Sequence, residues 1–315
     1  MTGTESPLRM GTVEWALLAL LAFLWGGSFL FAKIAVAEIP PASLVLGRVG
    51  LAAIAQIIVV SALRIPVPWS WPLAGQFLIM GVLNNIVPFG LIFWGQRAID
   101  AGLAAILNAT TPVFTVLLAH VLTRDEKLTP GRLAGVALGL LGVAVLIGPA
   151  ALMRFDLAAV SQLAIIGAAL SYGFAGIYGR RFRGLPPILP AAGMLCGSSL
   201  VALPIALYLD RPWTLAISVP TGASVAALAL ASTAFAYILY FRILARAGAT
   251  NLQLVTLLVP ISAMALGALV LGERLEWNAF AGMALIFLGL AAIDGRVLRA
   301  LRRISGGGAR LRDGA

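Results

Sequence analysis

Ten runs of mainly apolar residues follow one another along the chain, separated by charged residues and by clusters of Pro, Gly and Asn. They cover approximately residues 13–37, 42–63, 72–96, 102–122, 130–148, 157–178, 188–208, 222–244, 249–271 and 277–297. A transmembrane helix needs about 20 apolar residues, because each residue adds about 1.5 Å and the hydrocarbon core is about 30 Å thick. The pattern predicts an all-α integral membrane protein with ten transmembrane helices and short connections.

The composition supports this class. The 315 residues are 61% hydrophobic and 11% charged, whereas soluble domains are roughly 45–50% apolar and about 25% charged. A soluble fold could not cover so much apolar surface. The net charge of +10 is spread over the connections, which disfavours nucleic acid as a partner and fits a membrane-orientation signal. The single Cys196 excludes a disulfide framework.

The basic residues also predict an orientation, since cytoplasmic connections are enriched in Lys and Arg. With a cytoplasmic N-terminus, 16 basic residues fall inside and five outside, with Arg48 within the second span. The inside set is Arg9, Arg64, Arg124, Lys127, Arg132, Arg180, Arg181, Arg183, Arg242, Arg246 and six arginines from Arg296 onward; the outside set is Lys33, Arg97, Arg154, Arg211 and Arg274. We therefore expect both termini to be cytoplasmic, in a bacterial inner membrane given the Arg-, Ala- and Gly-rich composition.

The two halves of the chain resemble each other at an offset of 147 residues. Matched pairs are Trp25-Gly26 with Tyr172-Gly173, Lys33 with Arg180, Pro40 with Pro187, Glu126 with Glu273, Gly135 with Gly282, and Gly142 with Gly289. Five spans per half is an odd number, so the second half must enter from the opposite side. This predicts inverted repeats over residues 1–148 and 149–297, a basic cytoplasmic tail over 298–315, and the architecture of alternating access.

The predicted spans contain few side chains that could couple ions, bind a metal or catalyse a reaction. All twelve acidic residues fall at predicted helix ends or in connections, whereas ion-driven carriers usually hold a carboxylate within the bilayer. We therefore predict transport without ion coupling, although a peripheral carboxylate such as Glu14 could titrate. No zinc-binding spacing and no nucleophile–base pair is present, so we expect neither an enzyme nor a cofactor or metal.

The spans do contain aromatic, amide and hydroxyl side chains, which would suit a pocket for a small amphipathic metabolite. The candidate substrate-binding residues are Trp25, Ser28, Asn84, Phe89, Trp94, Asn108, Tyr172, Ser232, Tyr237 and Tyr240. Trp25 and Tyr172 are predicted either to line this pocket or to pack between helices, and the sequence favours neither role. Pro88, Pro112 and Pro260 are either gating hinges or packing kinks. Arg48, roughly 9 Å from the outer end of its span at 1.5 Å per residue, either binds a substrate carboxylate or has a structural role.

These residues resemble the EamA family of the drug/metabolite transporter superfamily over nearly the whole chain. The matching pieces are Trp25-Gly-Gly-Ser-Phe29 with Lys33, Pro40 and Arg48; Arg97-Ala98, Ala101 through Pro112, and Glu126; then Ala249 through Pro260 and Leu271-Gly-Glu273-Arg-Leu275. The resemblance implies two inverted five-helix repeats, a cavity among spans one, three, four, six, eight and nine, and export of small metabolites. The chain looks most like bacterial amino-acid exporters, including those for aromatic amino acids. Asp125 beside Glu126 departs from the second copy, which has Gly272, and we interpret this helix end as structural.

The sequence thus predicts a monomeric inner-membrane exporter of amino acids, with aromatic amino acids as candidate cargo, working by alternating access. A multidrug or other-metabolite efflux carrier is the alternative within transport. A non-transporting receptor or scaffold is the alternative from another class, and it would lack a central cavity lined by both halves.

Overall fold

The computed structural model describes residues 11–124, 128–148, 156–182, 184–252 and 254–294. Several residues used above lie outside these ranges: Arg9, Asp125, Glu126, Lys127, Arg154, Arg183 and the tail from residue 295 onward, including the predicted segment 298–315.

The described residues are helical, without a strand, and the helices follow the apolar runs. Eight helices are long and apolar enough to cross a membrane: α1 (Thr12–Ala35), α2 (Pro41–Ala62), α3 (Trp71–Gly95), α4 (Ala101–Leu122), α5 (Pro130–Ile147), α6 (Leu157–Phe182), α7 (Ile188–Leu209) and α8 (Val219–Leu244). Two shorter apolar helices follow, α9 (Val255–Leu271) and α10 (Trp277–Ile293). The predicted all-α, multi-pass membrane fold is confirmed.

Several helices are interrupted. Helix α3 widens to a π-helical turn over Val82–Ile86, immediately before Pro88. Helix α4 breaks after Asn108 and restarts at Thr111 with Pro112 in its first turn. Pro260 lies within α9. Each predicted proline thus lies at or near an irregular segment, except that Pro260 is accommodated inside a helix. A second π-helical segment, Ala227–Phe235 in α8, contains no proline and was not predicted.

Helices α5 and α10 pack most closely through glycines. A Cβ atom at Gly135 would lie 2.5 Å from the carbonyl oxygen of Gly289, and one at Gly142 would lie 2.7 Å from that of Gly282. Residue numbers rise along α5 from Gly135 to Gly142 while those of the contacted residues on α10 fall from Gly289 to Gly282, so the two helices are antiparallel. The absence of side chains lets the backbones touch.

Two other pairs of helices also run antiparallel. The start of α2 meets the end of α7, where the Ser43 amide donates to Asp210 at 2.6 Å, and Val60 near the end of α2 clusters with Leu189 near the start of α7. The start of α4 meets the end of α9, where the Ala101 amide donates to Glu273 at 2.7 Å.

Five tryptophans lie on the outside of the bundle. Trp15, Trp69, Trp71, Trp213 and Trp277 are between 49% and 85% exposed. All five lie near helix ends or in connections, where amphipathic rings anchor a membrane protein at the lipid–water interface.

Candidate functional site

A central cavity of about 720 Å³ lies among the described helices. Eight helices form its wall, namely α1 to α4 and α6 to α9, so both halves of the chain contribute. Gly184, Leu185 and Pro187 of the α6–α7 connection also line it, so the cavity reaches that end of the bundle, which we call the cavity end. We call the opposite end, where the α1–α2, α3–α4, α7–α8 and α9–α10 connections lie, the closed end.

Most of the predicted site residues line this cavity. They are Trp25, Ser28, Arg48, Asn84, Phe89, Asn108, Tyr172, Ser232, Tyr237, Tyr240 and Pro260. Trp94, Pro88 and Pro112 do not, and Phe93 takes the place expected for Trp94. Ile92 and Phe93 both line the cavity, and because successive residues of a helix point about 100° apart, Trp94 lies about 200° around the helix from Ile92 and points away.

Some lining residues were not expected from the sequence. Met194 and Pro190 on α7, and Thr233 on α8, belong to the wall. Residues such as Met194 and Pro190 carry no chemical signal in an apolar helix. Thr233 could have been found only by knowing that its segment is π-helical.

Arg48 is the charged residue of the described wall, and it is buried, with 7% of its surface exposed. Its Nε donates to Thr233 Oγ1 at 3.0 Å, and its guanidinium carbon lies 3.8 Å from the centre of the Phe89 ring. Among the described residues no carboxylate pairs with it. The hydrogen bond seen for Arg48 among the described residues comes from Nε, which leaves the two terminal nitrogens of the guanidinium for a ligand, and Arg can bind a carboxylate through two such nitrogens.

The π-helical segment of α8 holds Arg48 in this orientation. Thr233 donates its hydroxyl to the carbonyl oxygen of Leu228 at 2.8 Å, five residues earlier, so its oxygen is fixed when it accepts from Arg48. The neighbouring Ser232 also lines the cavity, and its buried Oγ has no hydrogen-bond partner within the described part of the chain. Wide helical turns of this kind are frequent at functional sites.

Amide and aromatic groups complete the wall. Asn84 Nδ2 donates to Tyr237 Oη at 3.2 Å across the two halves. The Oδ1 of Asn108, at the break in α4, is buried and accepts no hydrogen bond from any residue that the structure describes. The Trp25 and Tyr240 rings lie 5.9 Å apart, tilted by 39°. By contrast, Asn85 donates to Ser198 Oγ at 2.8 Å and is fully buried, so its role is in packing α3 against α7.

The closed end is held by charged side chains at helix termini. Glu273 accepts from the amides of Ala101 and Gly102, at 2.7 and 3.1 Å, in the first turn of α4. Lys33 donates to the carbonyl oxygens of Gln96 and Ile99, at 2.9 and 2.8 Å, after the end of α3. Carboxylates are stabilised at the N-termini of helices and cations at C-termini.

Two further carboxylates act in the same way. Asp210 accepts from the amide of Ser43 in α2, and Glu38 accepts from the amide of Ser218, the N-cap of α8, at 2.7 Å. The hydrogen bond from the Ser218 amide lowers the pKa of the Glu38 carboxyl below its usual value. Glu273, Asp210 and Glu38 each join one half of the chain to the other.

The chain is similar in sequence and fold to known proteins. The model of the EamA-like transporter family matches residues 13–148 and 160–293. A "Probable amino-acid metabolite efflux pump" of Escherichia coli is 27% identical, over 89% of this chain and 94% of its own. A "Probable terminal-alkyne amino-acid exporter" of Streptantibioticus cattleyicolor is 27% identical, over 96% of this chain and 100% of its own. A crystal structure of a protein 19% identical shares the fold, with a TM-score of 0.63 over 88% of this chain and 96% of that one.

Proposed function

Since this chain belongs to the EamA-like transporter family, we propose that it exports amino acids or related carboxylates from the cytoplasm by alternating access. The observation that carries the proposal is Arg48, a buried guanidinium without a carboxylate partner among the described residues, on the wall of a cavity formed by both halves. The names of the relatives from E. coli and S. cattleyicolor point to the same class of cargo.

The cavity suits such a cargo in size and chemistry. Ligand pockets of about 300–1,000 Å³ with apolar walls and a few placed polar groups are typical of small-molecule sites, and this cavity has a volume of about 720 Å³. We propose that Arg48 binds the carboxylate, that Trp25, Phe89 and Tyr172 surround an apolar or aromatic body, and that Asn84, Asn108 and Ser232 contact the remaining polar groups. Tyr237 and Tyr240 complete the substrate wall.

We propose ten transmembrane helices arranged as two inverted repeats, residues 1–148 and 149–297. The support is that helices equivalent at the 147-residue offset pack against each other in antiparallel pairs: α2 with α7, α4 with α9, and α5 with α10. Under this offset the contact of Gly135 with Gly289 becomes the contact of Gly282 with Gly142, which is also present. Antiparallel equivalents are what an in-plane two-fold axis produces.

The cavity end is proposed to face the cytoplasm of a bacterial inner membrane, with both termini on that side. The last turn of α6 at this end includes Arg180 and Arg181, and Glu14 and Arg246 pair there at 3.6 Å. The conformation is then inward-facing, and the contacts of Glu38, Asp210 and Glu273 hold the outer side closed. We propose that the protein acts as a monomer.

We propose transport without ion coupling, because Arg48 is the charged side chain of the described cavity wall and no carboxylate lies on that wall. A multidrug or other-metabolite carrier would use the same cavity with a wider range of cargo. A receptor or scaffold is disfavoured, since it has no need for a cavity lined by both halves.

Reconstitution in liposomes tests the proposal. Purified protein should mediate flux of labelled amino acids or their carboxylate derivatives down a concentration gradient, with or without a pH gradient. Absence of flux for every such compound would refute the cargo, and flux that stops when the pH gradient is removed would refute the uncoupled mechanism.

Replacing Trp25 with Ala should weaken the apparent affinity for an aromatic cargo by roughly 30-fold, because a buried aromatic contact at the centre of a site is worth about 2 kcal/mol. Folded yield should not change, since Trp25 faces the cavity. Trp277→Ala is the matched control, because Trp277 is 85% exposed. Equal flux for the two variants would assign Trp25 to packing.

Replacing Glu273 with Gln should loosen the closed end, because two charge-assisted hydrogen bonds become at best neutral ones. We expect a cysteine introduced in the cavity to react about two- to tenfold faster with an impermeant outside reagent, for a loss of roughly 0.5–1.5 kcal/mol. Glu276→Gln is the control, since Glu276 lies in the same connection and is exposed. Identical labelling rates would mean that Glu273 does not stabilise the closed side.

A further inference from the structure

We propose that the cavity selects carboxylates whose nitrogen is uncharged, such as N-acylated amino acids, over free zwitterionic amino acids. The inference rests on the proposed function and makes it narrower. It concerns the net charge of the cargo, which the names of the relatives leave open.

The first step is the charge on the cavity wall. Arg48 supplies one positive charge, and the described lining residues include no Asp or Glu. Glu38, Asp210 and Glu273 lie at the closed end, where they bond to backbone amides, and Glu14 at the cavity end pairs with Arg246. A monoanion would bring the occupied site to zero net charge. A zwitterion would leave one uncompensated positive charge in a site with a low dielectric constant, which is unfavourable.

The second step is the set of hydrogen-bond acceptors. Asn108 Oδ1 and Ser232 Oγ are buried and have no hydrogen-bond partner among the described residues, and both residues line the cavity. One or two neutral acceptors match the single N–H of an amide. An ammonium has three N–H donors and loses much of its hydration on entering, so neutral acceptors alone compensate it poorly.

The third step is the aromatic wall, which could in principle hold an ammonium by cation–π contact. The face of Phe89 is already occupied by the Arg48 guanidinium, with the Phe93 ring 5.9 Å from it. A second cation near these rings would be repelled by Arg48. The remaining faces of Trp25 and Tyr172 suit an apolar side chain or acyl group better than a charge.

The test compares four ligands that share one side chain: N-acetyl-L-phenylalanine, L-phenylalanine, L-phenylalanine amide and N-acetyl-L-phenylalanine amide. Binding is measured by competition on the purified full-length protein, and flux is measured in liposomes. We expect the N-acetyl acid to bind at least about tenfold more tightly than phenylalanine, in line with the loss of one charge-compensated contact, and the cationic amide to bind most weakly.

Phenylalanine binding as tightly as the N-acetyl acid, or more tightly, would overturn the inference and leave the proposed function standing. If neither acid is bound or transported, both fail. The neutral N-acetyl amide shows whether the carboxylate matters, and equal affinity for it and for the N-acetyl acid would also overturn the inference.

A variant provides a second, independent arm. Asn108→Asp is nearly isosteric and adds a negative charge to the wall, so it should shift the preference towards phenylalanine by about tenfold or more. A monodisperse Asn108→Asp protein with unchanged preference would contradict the charge argument. The wild-type ligand series decides the question on its own if the variant does not fold.

Discussion

Replacing Arg48 with Gln is expected to lower binding and transport of carboxylate cargo by about 10- to 100-fold, because a hydrogen-bonded pair with a charged group is worth about 1.5–3 kcal/mol. Folded yield should stay at or above the wild-type level. A buried charge without a carboxylate partner costs stability, and the retained interaction of Arg48 within the protein is one hydrogen bond to Thr233 together with stacking on Phe89. Binding assays and thermal unfolding of the purified protein measure the two effects separately.

Two further variants make this prediction specific. Arg48→Lys keeps the charge but loses the bidentate geometry and the Nε donor, so its affinity should be intermediate. Arg97→Gln removes an exposed arginine from the α3–α4 connection and should leave transport unchanged. The structural role that the sequence also allowed for Arg48 predicts the reverse pattern, in which folded yield falls and the surviving protein transports normally.

The apolar runs predicted the helices well, because the requirement to span a bilayer fixes both length and composition. The run at 130–148 corresponds to the helix Pro130–Ile147, and that at 188–208 to Ile188–Leu209. The run at 249–271 was less accurate. A short helix, Ala249–Leu252, precedes Val255, where α9 proper begins.

Which side of a helix faces the cavity was harder to predict. In a soluble protein the polar face marks the outside, but lipid and protein interior are both apolar, so a membrane helix has little such signal. Trp94 was chosen by residue type and lies off the wall, while Phe93 beside it lines the cavity. Met194 was missed for the same reason.

Irregular backbone was predicted only at positions occupied by proline. Pro88 and Pro112 lie next to the interruptions of α3 and α4. The π-helical segment of α8 contains no proline, so the position of Thr233, and with it the orientation of Arg48, could not be derived from the sequence. The cross-half contacts of Glu38, Asp210 and Glu273 were equally inaccessible, because a carboxylate at a helix end does not reveal which N-terminus it will meet.

Replacing Gly135 with Ala is expected to lower the stability of the protein by about 1–3 kcal/mol, the usual range for an overpacked contact. The new Cβ atom would lie 2.5 Å from the carbonyl oxygen of Gly289 and 2.9 Å from the amide nitrogen of Ile293. Both are backbone atoms, so no rotamer change relieves the overlap, and α5 and α10 must move apart along their length. Thermal unfolding in detergent, followed by size-exclusion chromatography, measures the loss.

The matched control for this variant has the opposite expected sign. Gly50 lies within α2 and has no atom within 4 Å of a Cβ built on it, so Gly50→Ala should stabilise the helix by up to about 1 kcal/mol through helix propensity alone. Equal stability of the two variants would mean that α5 and α10 accommodate the added methyl group without loss of stability.

Neither α5 nor α10 contributes a described residue to the cavity wall, so Gly135→Ala protein that does fold should retain its affinity for cargo. A loss of transport with unchanged affinity would instead assign the glycine contact between α5 and α10 to the movement of one half against the other.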